Sequence, residues 1–205
     1  MVLSASFDFR NLHGVRWRHT LTRIDPLIPP YEPAVAAQLS TMMPAGVAPI
    51  GLFRTFARNL PMSEAMGEWG RYELSKRLSL SMRQRELVIL RVTARCACEY
   101  EWGVHLTFFG DRVGLTDEQK RSITHGLPHD RCWSIDEAAL LVAVDELHDS
   151  ADLGDGAWSS LESILTPDQI LDLALLAGWY HAISYAANAA RVALEDGAPR
   201  FVDLH

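Results

Sequence analysis

A hydroxyl-bearing residue followed three positions later by Glu or Gln recurs four times along this chain, at Ser81–Gln84, Thr116–Gln119, Ser134–Glu137 and Thr166–Gln169. In such a box the hydroxyl accepts a backbone N–H from the first helical turn, and the Glu or Gln side chain reaches back to the N–H of the capping residue. The last box adds Pro167 at the first helical position, where no N–H is needed. Gly110, Gly114 and Gly126 fall where the preceding helical patterns stop, and no segment alternates polar and apolar residues as a half-buried strand does. The chain is therefore expected to be all-α, with helices near 33–43, 50–59, 62–78, 82–96, 98–112, 117–125, 135–149, 155–164 and 167–195. Most of the prolines lie in 24–33 and 44–49, which predicts an extended lead-in that wraps over the helices.

With 205 residues, 48% apolar and 22% charged, the chain fits a single helical domain over 24–205. Residues 1–23 carry Arg10, His13, Arg16, Arg18 and His19 without the apolar run of a secretory signal, so they are expected to form a disordered basic arm. A net charge of −7 without a compensating Lys/Arg block argues against nucleic acid or an anionic membrane as partner. Three cysteines, an odd number with no export signal, predict free thiols and a cytoplasmic location. The stretch from Ile170 to Leu194 has the length of a membrane span but contains Asp172, His181, Asn188 and Arg191, so a buried helix is expected. That helix is apolar on nearly every side, which predicts a homo-oligomer, with a central core helix as the plain alternative.

The segment Cys98-Glu99-Tyr100-Glu101-Trp102-Gly103-Val104-His105 puts a thiol, a carboxylate and an imidazole at helical spacings of three, four and seven. An exposed Glu101–His105 pair would stabilise by only about 0.3–0.5 kcal/mol. The neighbouring Ala94, Val104, Phe108 and Phe109 instead point to burial, where Glu101 would have a raised pKa and could exchange a proton with His105. Cys98 is either a reactive thiol or a small buried hydrophobe. Glu86 could join this group only if the chain turns near 96–98, because in one unbroken helix it would stand about 18 Å from Cys98. No Gly or Pro at 96–98 demands such a turn.

Two further constellations stand out. The run Asp145-Glu146-Leu147-His148-Asp149 lacks two histidines four apart and reads as a solvated helix end, so no metal site is expected. Tyr180, His181, Tyr185 and Asn188 put polar tips on an apolar helix, where they either lock the core or line a pocket. Tyr180 and His181, with Trp102, are the candidate substrate-binding residues.

Taken in order, Arg83–Arg91, Glu99–His105, Gly114-Leu115-Thr116 and Ala177–His181 resemble the carboxymuconolactone decarboxylase and alkyl hydroperoxidase D-like superfamily. The resemblance covers most of 24–200 and implies a helical fold assembling as trimers or hexamers. In its hydroperoxidase branch a Cys-x-x-Cys pair precedes a His, with an upstream Glu completing a proton relay. By position Glu86 matches that Glu, Cys98 the first Cys and His105 the His, while Glu101 stands in place of the second Cys. Its decarboxylase branch has Glu-x-Glu-x-x-x-His, matched here by Glu99, Glu101 and His105.

The resemblance thus implies a lyase-type enzyme that needs no cofactor or metal and acts on a small carboxylated or lactone substrate. Glu101 and His105 would shuttle the proton, Glu86 orient them and Cys98 line the site. A thiol peroxidase using Cys98 is the alternative, and a non-catalytic oligomeric binding protein is the third class.

Overall fold

The computed structural model describes residues 22–204, so nearly all of the expected basic arm lies outside the described residues. Among these the secondary structure is helical: α1 Pro33–Met42, α2 Gly51–Phe56, α3 Leu60–Glu73, α4 Met82–Arg95, α5 Glu99–Phe109, α6 Asp117–His125, α7 Ile135–Ser150, α8 Asp155–Glu162, α9 Pro167–Ala190 and a short 3-10 turn, Phe201–Asp203. Every expected helix is present. All four capping boxes close reciprocally, at the starts of α4, α6, α7 and α9. Gly110 and Gly126 follow the last residues of α5 and α6, and Gly114 takes a φ of +65° in the turn between those helices.

Two helices stop five residues short of the sequence expectation, and the turn that the sequence left open between α4 and α5 is present. The predicted 62–78 helix stops at Glu73, and the segment after it supplies Ser79, whose N–H and hydroxyl donate to the Asp172 carboxylate at 2.8 and 2.7 Å. The 167–195 helix ends at Ala190, where Arg191 turns left-handed and the amides of Arg191 and Val192 return to the carbonyls of Asn188 and Ala187. Between α4 and α5 the chain reverses at Ala97, which has a φ of +49°. The Ala97 N–H bonds the Ala94 carbonyl at 3.0 Å and the Cys98 N–H the Thr93 carbonyl at 2.8 Å, the paired bonds of a Schellman cap. The cap needs a left-handed residue, and here that residue is Ala rather than the usual Gly.

Helix α4 occupies the centre, packed against α5, α6, α7 and α9, and every residue from Arg85 to Thr93 is buried. A helix enclosed in this way must pair the charges it carries. Arg91 does so through Asp145 of α7, at 2.7 and 2.6 Å, and through the carbonyls of Ile123 and Gly126. The helix enclosed on all sides is thus α4, whereas α9 buries Leu173, Leu176, Tyr180 and Ile183 and leaves Leu171, Leu175 and Tyr185 exposed. By length and composition α9 could cross a membrane, but half of its most apolar window is buried inside the molecule. Its Asp172 is fully engaged, accepting the Tyr72 hydroxyl at 2.6 Å besides the two Ser79 bonds.

The C-terminal segment braces α5. The Phe201 N–H donates to Glu99 at 2.8 Å, and a side chain at Gly103 would collide with the Pro199 carbonyl, which lies 2.7 Å from where its Cβ would be. The lead-in wraps as expected, with the Arg23 and Ile24 amides on the Ala190 carbonyl and the Leu27 amide on that of Arg54.

Candidate active site

The reversal at Ala97 lays α5 back along α4, and this brings Glu86 to His105. Glu86 Oε2 accepts from His105 Nδ1 at 2.8 Å, and Glu86 Oε1 accepts from Arg85 Nε at 2.7 Å. On the other side of the ring, His105 Nε2 meets the Tyr180 hydroxyl of α9 at 3.0 Å and stands 3.7 Å from Glu101 Oε2, one turn earlier on α5. That last separation is beyond hydrogen-bond length, so a substrate atom or a small rotation must close it before a proton can pass directly. The imidazole is clamped flat by Phe109, stacked at 5.5 Å, and edge-on by the Tyr180 ring at 5.0 Å. Arg85 also lies over the Phe109 face.

Three helices therefore supply one contact chain, and it is dry: Glu86 is 0% exposed, Tyr180 4%, and Arg85, Glu101 and His105 5% each. Burial pushes the Glu101 carboxyl up, opposed by the His105 charge. Burial alone would lower His105, but the charge and hydrogen bond of Glu86, aided by Glu101, outweigh it and the net shift is upward. The Tyr180 phenol is held well above its ordinary range by burial and by the charges of Glu101 and Glu86. Environments that favour a protonated imidazole beside a carboxyl inclined to keep its proton suit general acid–base chemistry. With Nδ1 against Glu86, the Nε2 side of the ring faces Tyr180 and Glu101.

Of the candidate site residues, Glu86, Glu101, His105 and Tyr180 come together; Cys98 lies close to Glu101 but outside that contact chain, and Trp102 and His181 stand apart. Cys98 caps α5 with its thiol fully enclosed by a satellite core that includes Leu52, Phe56, Tyr100, Ile183 and Ala187. Burial pushes that thiol up to about 12, overriding the lowering expected at a helix N-terminus. The expected stripe is therefore incomplete, because Cys98 precedes the helix on which Glu101 and His105 stand. Trp102 is fully buried against Phe201, 5.1 Å between ring centroids, where it holds the C-terminal segment to α5. His181 pairs with His148 in a separate cluster.

Two residues went unnoticed in the sequence. Arg85 anchors Glu86, and its one signal was a cation at the head of a largely apolar run that also carries Glu86 and Arg91. Glu73, at the end of α3, is 0% exposed with neither carboxylate oxygen hydrogen-bonded. Burial, followed by the Asp172 charge, pushes it up to about 7, and the Trp69 indole lies near enough to temper that rise without bonding geometry. Its surroundings on α3 are polar in sequence, so nothing marked it. Surface clefts beside Glu118, Arg121 and His125 and beside Tyr31, Leu39 and Met43 contain none of the relay residues.

No protein-family profile matches the sequence, and no curated protein does. Solved structures do match. A protein of unknown function from Agrobacterium tumefaciens, described as a candidate AhpD antioxidant defence protein, superposes with a TM-score of 0.62 at 20% identity, covering 68% of this chain and 95% of that one. A peroxidase-related protein from Silicibacter sp. TM1040 gives 0.70 at 17% identity, covering 92% of this chain and all of that one. The debrominase Bmp8, as a Cys-to-Ala variant bound to 2,3,4-tribromopyrrole, gives 0.70 at 12% identity over 85% and 92% of the two chains. At these identities what is shared is architecture, and it agrees with the superfamily that the motifs resemble: the chain has the alkyl hydroperoxidase D-like helical fold.

Proposed function

We propose that the chain is an enzyme of the carboxymuconolactone decarboxylase-like type, placing a proton on a small carboxylated or lactone substrate. The observation that carries this reading is the contact chain Arg85–Glu86–His105–Tyr180 with Glu101 across a 3.7 Å gap. Loss of carbon dioxide from a carbon conjugated to a lactone carbonyl breaks the bond to the carboxyl group and leaves its electron pair delocalised onto the lactone oxygen. The step ends when that carbon receives a proton. Glu101, with its raised pKa, is the donor, and its carboxylate then faces the His105 imidazolium, which resupplies the proton. Glu86 fixes the ring and balances its charge, and the Tyr180 hydroxyl, which meets His105 Nε2, is the group this reading assigns to a substrate oxygen. The substrate supplies its own electron sink, so this chemistry calls for no cofactor or metal.

Thiol-dependent peroxide reduction is the second reading, favoured by the descriptions of the A. tumefaciens and Silicibacter neighbours. Against it stand the burial of Cys98, its high pKa, and Glu101 at the position of a resolving thiol. Small planar ligands do enter this architecture, as the tribromopyrrole complex of Bmp8 illustrates.

A panel of unsaturated carboxylactones in deuterium oxide tests the proposal. The full chain is expected to release carbon dioxide and leave one solvent deuterium on the former carboxyl-bearing carbon. Glu101→Gln should abolish turnover with the helical fold intact by circular dichroism, while Cys98→Ala retains most of it. The reading fails if no member of the panel decarboxylates, or if Cys98→Ala is the dead variant and a hydroperoxide oxidises that thiol.

A further inference from the structure

Away from the relay, three ligand atoms from three helical regions converge. Cys96 follows the last residue of α4, His148 lies in the last turn of α7, and His181 in the second half of α9. His148 Nδ1 is 2.8 Å from His181 Nε2 and 3.9 Å from Cys96 Sγ, and all three atoms lie within 4.8 Å of one another. A tetrahedral ion with metal–nitrogen bonds of about 2.0–2.1 Å and a metal–sulfur bond of about 2.3 Å spaces its ligand atoms by roughly 3.3 Å between nitrogens and roughly 3.6 Å from nitrogen to sulfur. Two of the separations therefore lie within about half an ångström of that geometry.

The donor chemistry agrees with the spacing. His181 Nδ1 faces the Ala177 carbonyl at 3.3 Å, which places its proton on Nδ1 and leaves the Nε2 lone pair aimed into the cluster. A ligand-bearing imidazole whose other nitrogen is held by a backbone carbonyl is the usual outer support of a metal-bound His. Each of the three residues is only partly buried, which leaves an ion a route in. A hydrogen-bonded His–His pair tying α7 to α9 would account for the 2.8 Å contact but not for the thiol beside it.

We propose that Cys96, His148 and His181 form a site for a divalent transition ion of the zinc or cobalt class, with the fourth position open to water. One thiolate and two imidazoles select such an ion over magnesium or calcium, which prefer oxygen ligands. On binding, the Cys96 S–H proton passes to solvent, and the His148 proton that points at His181 moves to Nε2 of the same ring. One proton is released for each ion bound. None of the three ligands belongs to the relay, so this site stands or falls separately from the proposed reaction. Cys96 does precede Ala97 directly, and the ion would fasten to α7 and α9 the turn that carries α5 back to Glu86.

The test uses the untagged full chain, stripped by a chelator and titrated with Co2+ alone. Expected are visible ligand-field bands and a thiolate-to-cobalt charge-transfer band saturating at one ion per chain, with one proton released and displacement by Zn2+. Cys96→Ser should remove the charge-transfer band, His181→Ala should remove saturable binding, and Cys98→Ala should retain both. A second measurement needs no variant: bound Zn2+ should protect Cys96, and not Cys132, from alkylation in the wild-type chain. The proposal is overturned if the folded wild type shows no saturable band, if the band survives Cys96→Ser, or if Zn2+ leaves Cys96 alkylation unchanged.

Discussion

Glu86 and His105 are nineteen residues apart in the chain and 2.8 Å apart across two helices, and the reversal that joins them is centred on Ala97. Had α4 run on without a break, the acid and the imidazole would stand on one long rod, too far apart to touch. The Schellman bonds from Ala97 and Cys98 end α4 and turn the chain, and the side chains of α5 then fall against the buried face of α4.

Ala97 sits at a φ of +49°, a conformation that costs a residue with a Cβ about 1 kcal/mol relative to Gly. Ala97→Gly should therefore stabilise the fold by up to about 1 kcal/mol in urea unfolding, with the relay undisturbed. Ala97→Val should destabilise it by more, because a branched side chain tolerates this region least. Equal stability of all three proteins would contradict the role given to this turn.

The Glu86–His105 pair fixes a pH dependence. The folded pKa of His105 is raised above its ordinary value of about 6.5, so its contribution to stability is fully present below that value and declines as pH rises through the folded pKa. Glu86→Gln removes the counter-charge, so the His105 pKa, followed by NMR titration of its ring protons, should drop. The same change strands Arg85 in the core and should cost about 3–5 kcal/mol, the scale for breaking a buried pair from one side. An unmoved His105 titration would show that the pair is not coupled.

What the sequence could and could not reveal divides along local and non-local lines. The capping boxes at Ser81, Thr116, Ser134 and Thr166 are local chemistry, and each marks a helix start to the residue. The reversal at Ala97 is also local, but it uses Ala where Gly would have announced it, so the spacing of Cys98, Glu101 and His105 suggested one continuous stripe. Tyr180 was visible as a polar tip on an apolar helix, yet only the packing of α9 against α4 and α5 decides that it touches His105 while His181, the next residue, faces His148. Glu73 becomes unusual only through burial by other segments, and no pattern in α3 carries that information.

Glu73 gives the third prediction. Its carboxyl is raised to about 7 from an ordinary 4.5, so the folded protein binds its proton more tightly than the unfolded chain and stability falls as pH rises from 4.5 through 7. At pH 8 the buried charge should cost up to about 3 kcal/mol. Glu73→Gln should flatten that slope, leaving stability near wild type at pH 4.5 and higher than wild type at pH 8. Parallel pH–stability curves for the two proteins would place the Glu73 charge in water.

The thiols provide the fourth. With its pKa near 12 and no exposed surface, Cys98 should resist iodoacetamide at pH 8 in the native protein, while Cys96 and Cys132, both partly exposed, react sooner. Peptide mass spectrometry over a time course separates the three. Cys98→Ala should cost about 1 kcal/mol for the small void it leaves. Rapid native-state labelling of Cys98 would restore the peroxidase reading.

The last prediction concerns the face of α9 turned away from the core. Leu171 and Leu175 are exposed by 64% and 53%, and Tyr185 by 66%, with Gly178 and Ala182 between them on the same side. These five positions follow a spacing of four, three, four and three, one seam along the helix, and apolar seams of this kind are hidden by a second helix in stable assemblies. A Cβ at Gly178 would meet nothing within 4 Å, so the isolated chain has no steric need for Gly there, whereas a second helix lying close along the seam does. The expected homo-oligomer should therefore form through α9. Light scattering should give a mass above that of one chain, and Leu175→Asp should return it toward the monomer without loss of helical signal, because the substituted side chain points away from the core. A monomeric wild type at micromolar concentration, or an assembly indifferent to Leu175→Asp, would remove this face from the interface.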